Sequence, residues 1–342
     1  MKKTTLFIAL IFVLTLCLSL CACNGGDNNT GGSDGGSGGN GDLLEFSSSD
    51  DGTCYVKGIG NFKGTDLVIP SKTADGKTVV GIERGAFKGC TDLVSVTIPD
   101  SITEISFYGV FEGCTSLANI QVDSANTKFC SIDGILFDKD QTKLIRYPAG
   151  KTNSSYEIPD GVKYIEDYAF ESCAALTDVD IPDSLTSISA HAFENCVGIT
   201  SIYIPNNVSE VGEYAFDGCT SLTSIYVGSS SLRYSAKDGV LFNKKAGALY
   251  RCPVGKTGSY SIPSSVENIT SGSFRGCTGI VDVTIPANVT NIGNEAFYGC
   301  TGITAINYRG TIEQWNAITK GSDWNTNMGA YTIYCSDGNI SK

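Results

Sequence analysis

The only histidine of the 342-residue chain, His191, lies in "IPDSLTSISAHAFENC" (181–196), with Asp183, Glu194, several serines and Cys196 close by. Those residue types could do two kinds of chemistry: a histidine base beside a serine or cysteine nucleophile, or a mixed His/Cys/carboxylate metal site. A second candidate is Asp178 with Asp180, whose spacing of two puts both carboxylates on one face of a strand, within reach of acid–base work. Their plainer reading is a solvated surface pair. Beyond these, no phosphate-binding loop, dinucleotide fingerprint, His-Glu-x-x-His or paired Cys-x-x-Cys follows the first 23 residues. One histidine also removes the commonest general base and metal ligand from nearly every other position. No catalysis, cofactor or metal is therefore expected.

The elements that would position these residues explain them differently, because the quoted stretch recurs. It returns as "IPDGVKYIEDYAFESC" (158–173), "IPNNVSEVGEYAFDGC" (204–219), "IPSSVENITSGSFRGC" (262–277) and "IPANVTNIGNEAFYGC" (285–300). "IPDSITEISFYGVFEGC" (98–114) carries one extra residue, and a first copy is visible in "VVGIERGAFKGC" (79–90). Adjoining copies step by 23 residues, as Pro159, Pro182 and Pro205 show, a period in the leucine-rich-repeat range. The position of His191 is filled elsewhere by Gly85, Gly109, Tyr168, Tyr214, Gly272 and Glu295, which points to an outer-surface side chain instead of a required ligand or base.

Within a copy, Leu-x-x-Ile-x-Ile ends in the alternation of a strand, and proline then stops the ladder. Val-x-x-Ile crosses the outer side, and Ala-Phe-x-x-Cys predicts a short helical turn with Phe and Cys on one face. One copy cannot bury this apolar set alone, so stacked copies must share a core. The expected fold is an α/β repeat solenoid, a right-handed coil with a parallel strand ladder and short helical turns.

Fourteen cysteines are present. Cys90, Cys114, Cys173, Cys196, Cys219, Cys277 and Cys300 share one repeated core position; seven is odd, and same-facing side chains make poor bridge geometry. Mostly free, buried thiols are expected there. The spacing leaves the redox state of Cys54, Cys130, Cys252 and Cys335 open.

Two insertions, "FCSIDGILFDKDQTKLIRYPAGK" (129–151) and "YSAKDGVLFNKKAGALYRCPVGK" (234–256), parallel each other at an offset of 105 and read as β-hairpins, within interruptions of about 123–155 and 228–259. Repeat, hairpin, repeat, repeat thus occurs twice, the mark of a duplicated block. Residues 43–78 read as an N-terminal cap, 79–307 as the array, and 308–342, with both tryptophans, as a C-terminal cap.

Ahead of the array, Lys2 and Lys3 precede an apolar run ending in Leu20-Cys21-Ala22-Cys23. This resembles a bacterial lipobox, with a signal over 1–22 and Cys23 as the acylated residue, although Cys21 stands where a small residue such as Ser, Ala or Thr is commoner. An ordinary signal or a membrane-spanning anchor competes with that reading, since the run approaches a span of roughly 20 residues. Residues 23–42, Gly/Asn/Ser-rich, form a flexible tether. Removing Lys2 and Lys3 takes the basic count from 24 to 22 against 36 acidic residues, a net charge of −14, which disfavours nucleic acid and anionic membrane surfaces as partners.

The repeated Ile-Pro-x-x-Val-x-x-Ile-x-x-x-Ala-Phe-x-x-Cys, the Asp-Gly-Val-Leu-Phe hairpins and Gly310-Thr311…Trp315 closely resemble the BspA-like leucine-rich-repeat family of bacterial surface proteins, over residues 43–338. The resemblance implies surface exposure and, for some relatives, adhesion to host matrix proteins; it assigns no ligand to any residue. The best candidate binding face is the open side of the strand ladder, in two columns. One runs Thr97, Gln121, Asp180, Tyr203, Tyr226, Thr284, Asn307; its neighbour runs Ser95, Asn119, Asp178, Ser201, Ser224, Asp282, Ala305. Tyr203 and Tyr226 would make an aromatic anchor, or an ordinary cross-strand pair. The leading expectation is a lipid-anchored, extracytoplasmic protein that binds an unidentified protein of a host or neighbouring cell. Binding of glycan or cell-wall polysaccharide is the alternative, and a carboxylate-based enzyme the third reading.

Overall fold

The computed structural model describes residues 43–49, 51–106 and 108–342. The signal at 1–22, Cys23 and the tether at 23–42 lie outside them. The described chain is a parallel-strand solenoid with two ladders. On the front, strands Asp66–Val68, Ser95–Ile98 and Asn119–Val122 pair in parallel, followed by Ser155–Glu157 with Asp178–Asp180, Ser201–Ile204 with Ser224–Val227, and then Gly258–Ser261, Ile280–Ile285, Ala305–Tyr308 and Thr332–Cys335. The back ladder is built mostly from two-residue strands such as Tyr164–Ile165, Ser187–Ile188 and Glu210–Val211. Side-chain to backbone bonds at a sequence separation of 23, such as Thr186 Oγ1 to the Lys163 carbonyl, tie each coil to the next.

The core follows from the alternation. Ile202, Ile204, Ile225 and their equivalents point inward and are buried, and the repeat phenylalanines stack face to face: Phe170 on Phe193 at 4.8 Å, Phe274 on Phe297 at 4.7 Å. Backbone bonds run alongside the stack, from Phe170 N to Ala192 O and from Phe193 N to Ala215 O.

The expected helical turn at Ala-Phe-x-x-Cys is instead a run of tight turns. The residue before Ala-Phe is left-handed in every copy: Gly85, Gly109, Tyr168, His191, Tyr214, Gly272 and Glu295 have φ between 53° and 67°. The residue before the cysteine is left-handed too, as in Ser172, Asn195, Gly218 and Gly299. Two such residues per coil stop helix from propagating. Glycine recurs at these sites because it meets no Cβ penalty there. The only helix among the described residues, Ile312–Ala317, sits near the C-terminus and is held by a capping box between Thr311 and Gln314.

Both insertions form antiparallel hairpins, Phe129–Ile132 with Ile135–Asp138 and Tyr234–Lys237 with Val240–Asn243. A third strand, Lys143–Arg146 or Ala248–Arg251, then rejoins the back ladder. The core divides into three clusters whose borders fall at the hairpins. At the C-terminal end, Trp324 takes the place of the next phenylalanine: its carbonyl accepts from Phe297 N and its ring packs edge-on at 6.0 Å.

Candidate binding face and the junctions beside it

His191 does not face a nucleophile. Its imidazole is sandwiched between Tyr168 (4.7 Å, 2° between planes) and Tyr214 (5.2 Å), and Nδ1 meets Glu194 Oε2 at 2.7 Å. The hydrogen bond to Glu194 holds the imidazole above its usual pKa against the opposing effect of burial. Cys196 turns inward, its thiol donating to the Phe170 carbonyl at 2.9 Å. Among the described residues no group of three or more His, Cys, Asp or Glu side chains could hold a metal ion.

All described cysteines carry free thiols. In the core column, Cys114, Cys196, Cys219 and Cys300 each donate to the phenylalanine carbonyl of the preceding coil, at 2.9–3.0 Å. Cys173 and Cys277 make longer contacts at 3.6 Å, because hairpin segments precede them. Burial raises the thiol pKa of Cys196 and pushes that of Cys219 up to about 12. Cys90 departs from the expected burial: it is half-exposed, lining a surface cleft with Ile59, Phe62 and Gly64. Of the cysteines outside the column, Cys54 and Cys252 are buried and Cys130 and Cys335 half-buried.

The two front columns are present in register. Ser95 pairs with Asn119 and Thr97 with Gln121; Ser201 pairs with Ser224 and Tyr203 with Tyr226; Asp282 pairs with Ala305 and Thr284 with Asn307. Tyr203 and Tyr226 are 46% and 55% exposed, and Gln121, Asp178 and Asp180 are exposed. Asn119, Thr97, Thr284, Asp282 and Asn307 are half-buried. The columns are interrupted, however. The hairpin turns abut the ladder, Gly134 O accepting from Ile120 N and Gly239 O from Ile225 N, and Asp178–Asp180 and Ser201–Ile204 belong to separate sheets.

Several column members were not anticipated from sequence, among them three of the outer column. Glu157 lies opposite Asp180, while Val68 and Tyr334 extend the outer column to either end. The signal for Tyr334 was available in Thr-Ile-Tyr-Cys, which repeats the Ser-Ile-Tyr alternation of Tyr203 and Tyr226. None of the front strands carries a lysine or arginine, whereas Asp66, Glu157, Asp178, Asp180 and Asp282 lie on them.

Sequence reasoning also missed two buried arginines, one behind each hairpin. Arg146 donates to the carbonyls of Tyr168 and Glu171 and pairs with Glu171 Oε2 at 3.1 Å, the two side chains being 3% and 6% exposed. The same carboxylate accepts from Gly113 N, 3.2 Å away across the junction. In regular coils that N–H bonds a carbonyl of the next coil, as Gly89 N does with Glu112 O. Arg251 donates to Gly272 O at 2.6 Å and pairs with Asp217 at 2.7 Å; Arg275 bridges Asp217 to Glu295. The guanidinium groups thus supply donors where the hairpin interrupts coil-to-coil bonding. The recoverable signal was arginine before Tyr-Pro or Cys-Pro in both insertions.

Several solved structures are similar to this chain. A leucine rich cell surface protein from Faecalibacterium prausnitzii is 22% identical, the match covering 86% of this chain and 98% of that one at a TM-score of 0.48. A leucine-rich repeat protein from Eubacterium ventriosum is 21% identical over 77% of this chain and 76% of its own, also at 0.48. The pneumococcal vaccine antigen PcpA is 20% identical over 83% and 84%, at 0.46. These are likenesses of repeat architecture and carry no function to this chain. No curated protein matches it. The family model described as the BspA type leucine rich repeat region matches in six copies, over residues 62–153, 147–239 and 246–319. With that match spanning most of the sequence, the chain belongs to the BspA-type leucine-rich-repeat family.

Proposed function

We propose that this chain is a lipid-anchored, extracytoplasmic adhesion or scaffold protein that holds a protein partner on its front ladder. The family supports a surface protein engaged in protein–protein interaction or adhesion. Leucine-rich-repeat solenoids act typically as binding scaffolds, and stacked repeats create extended surfaces for that purpose. The lipobox-like Leu20-Cys21-Ala22-Cys23 supports the anchor.

The observation that carries the placement is the pair Tyr203 and Tyr226: directly opposed on adjacent strands, exposed, and outside the core. Tyrosine offers large contact area at low entropic cost, which is why it anchors interfaces. Charge sets the partner's chemistry. Glu157 and Asp180 face each other across paired strands, an arrangement that costs stability. With no basic residue on the front strands, the complementary surface is one presenting lysine or arginine, which carboxylates and tyrosine faces both receive.

The test is a pull-down with the intact protein from host-cell and bacterial-surface extracts, followed by titration of the captured protein. A saturable partner whose affinity falls at least tenfold in Tyr203→Ala/Tyr226→Ala, and which weakens with salt, supports the reading. An unchanged affinity in that variant removes the front ladder from the account.

A further inference from the structure

The two hairpin insertions are internal copies, so what one carries and the other lacks is not demanded by the fold. Residues 233–256 hold six basic residues, Arg233, Lys237, Lys244, Lys245, Arg251 and Lys256, against Asp238 alone. The matching span of the first hairpin, 128–151, has five basic residues against Asp133, Asp138 and Asp140. On a chain with 36 acidic residues to 24 basic ones, the second hairpin is a positive island. Among the described residues, Arg251 is the only one of the six that forms an ion pair.

Three of these cations adjoin at one corner. Lys244 N donates to Arg233 O at 2.7 Å, Lys245 follows, and all three residues are exposed. Beside Arg233 stands Leu232, 85% exposed; the next most exposed large apolar side chain among the described residues is Tyr226, at 55%. The first hairpin folds with Thr127 in place of Leu232 and Asp140 in place of Lys245. Neither the leucine nor the extra lysine is therefore needed to build the hairpin, and a leucine left in water gains nothing until something covers it.

The corner lies on the back of the coil. Arg233 Nε donates to Ser209 O at 3.3 Å, and Ser209 immediately precedes the back-ladder strand Glu210–Val211. It cannot reach the front ladder of its own chain. That ladder nevertheless presents its chemical complement: Glu157, Asp178 and Asp180 are exposed, and Tyr203 and Tyr226 come next in order. From Glu157 to Tyr226 is three coil steps, about 14 Å at the usual strand spacing.

From this pairing we infer that the front ladder of one copy receives the basic corner of the second hairpin of another, so that the chain associates with itself head to tail. The inference rests on the front ladder being the binding face. Arg233, Lys244 and Lys245 meet the carboxylates, and Leu232 seats against the tyrosine rings. A basic corner alone would also suit a phosphate-rich surface; a second copy is singled out because the acceptor, with carboxylates and rings together, is carried by the same chain. The contact is heterologous, so each pair keeps one free corner and one free ladder, and growth continues past two copies unless a ring closes.

Sedimentation velocity on the intact protein, from micromolar concentration to about 1 mM, tests this. Association is expected, with species larger than a dimer at the upper end, and it should weaken as salt rises. Leu232→Thr/Lys245→Asp, which installs residues the chain already folds with at its first hairpin, should weaken it about tenfold or more, and so should Tyr203→Ala/Tyr226→Ala. Mixed together, the two variants should associate as tightly as the unaltered protein and stop at one-to-one pairs, since each retains the face that the other has lost. A monomer throughout, indifference to the hairpin variant, or a mixture no better than its components would overturn the inference. Corner-dependent binding to phosphatidylglycerol vesicles by a protein that stays monomeric would overturn it in favour of a membrane surface. The front-ladder reading fails separately: it falls if a captured partner ignores the tyrosine substitutions, and it survives if such a partner needs them while the chain does not self-associate.

Discussion

Replacing Glu171 by alanine should be among the most damaging single changes in the middle of the array. Arg146 and Glu171 are almost fully buried and 3.1 Å apart, and Glu171 is the carboxylate paired with that guanidinium. Removing one partner of a buried ion pair costs about 3–5 kcal/mol, because the remaining charge is left uncompensated. Within that total, the half-buried Gly113 N loses its acceptor, a contribution of about 1 kcal/mol. The double variant Arg146→Met/Glu171→Met removes both charges but leaves Gly113 N without its acceptor and the Glu171 carbonyl without its guanidinium donor, while Tyr168 O keeps its bond from the backbone N–H of residue 171. It should recover at least half of the loss, since an apolar replacement of the whole pair is often neutral. Urea unfolding followed by circular dichroism measures the totals. Hydrogen exchange over residues 109–113 and 168–173 localises them, which matters because a repeat array need not unfold in one step. A loss below about 1 kcal/mol in Glu171→Ala, or a double variant as unstable as the single one, would refute the claim that the arginine holds the junction.

Two further outcomes follow from the titrating groups. The His191 ring, followed by NMR, should titrate above its ordinary value of 6.5, and Glu194→Gln should bring it back down. Because the folded value is raised, the pair's stabilisation is complete below the unfolded value and fades as pH climbs through the folded one; a wild-type midpoint at or below 6.5 would contradict the pairing. Under native conditions iodoacetamide should modify Cys90 well before Cys196 or Cys219, since Cys90 is half-exposed whereas burial holds the thiols of Cys196 and Cys219 above their usual pKa. In denaturant without reductant all seven column thiols should react, and a mostly unmodified column would mean bridges that the free thiols exclude.

The repeat, its period and both hairpins were legible in the chain because each coil buries the same side chains in the same order, and burial imprints periodicity on sequence. The turn geometry was not legible. Ala-Phe-x-x-Cys has helical spacing, and only the scatter of Gly, Tyr, His and Glu at the position of His191 hinted at a left-handed residue. The interruptions of the front columns also escaped notice, because a column read at constant period cannot show that a hairpin turn wedges against Asn119 or Ser224. The buried arginines were hidden for a related reason. Arg146 and Arg251 lie in insertions, outside the repeat, and their meaning depends on the coil-to-coil bonds that the insertions interrupt.

The partition of the core at the hairpins gives the solenoid a mechanical character that an unbroken array would lack. Pulled from its ends, an array with one continuous phenylalanine stack transmits load from coil to coil along a single cooperative element. Here the stack from Phe170 to Phe216 and the stack from Phe274 to Phe297 belong to different clusters, with an arginine-bridged seam between them. Each seam replaces close aromatic contact by a few polar bonds that break over a short distance. Tension would therefore be shed in packets, segment by segment, and a coil torn loose on one side of a hairpin would leave its neighbour intact and ready to serve as the template for refolding.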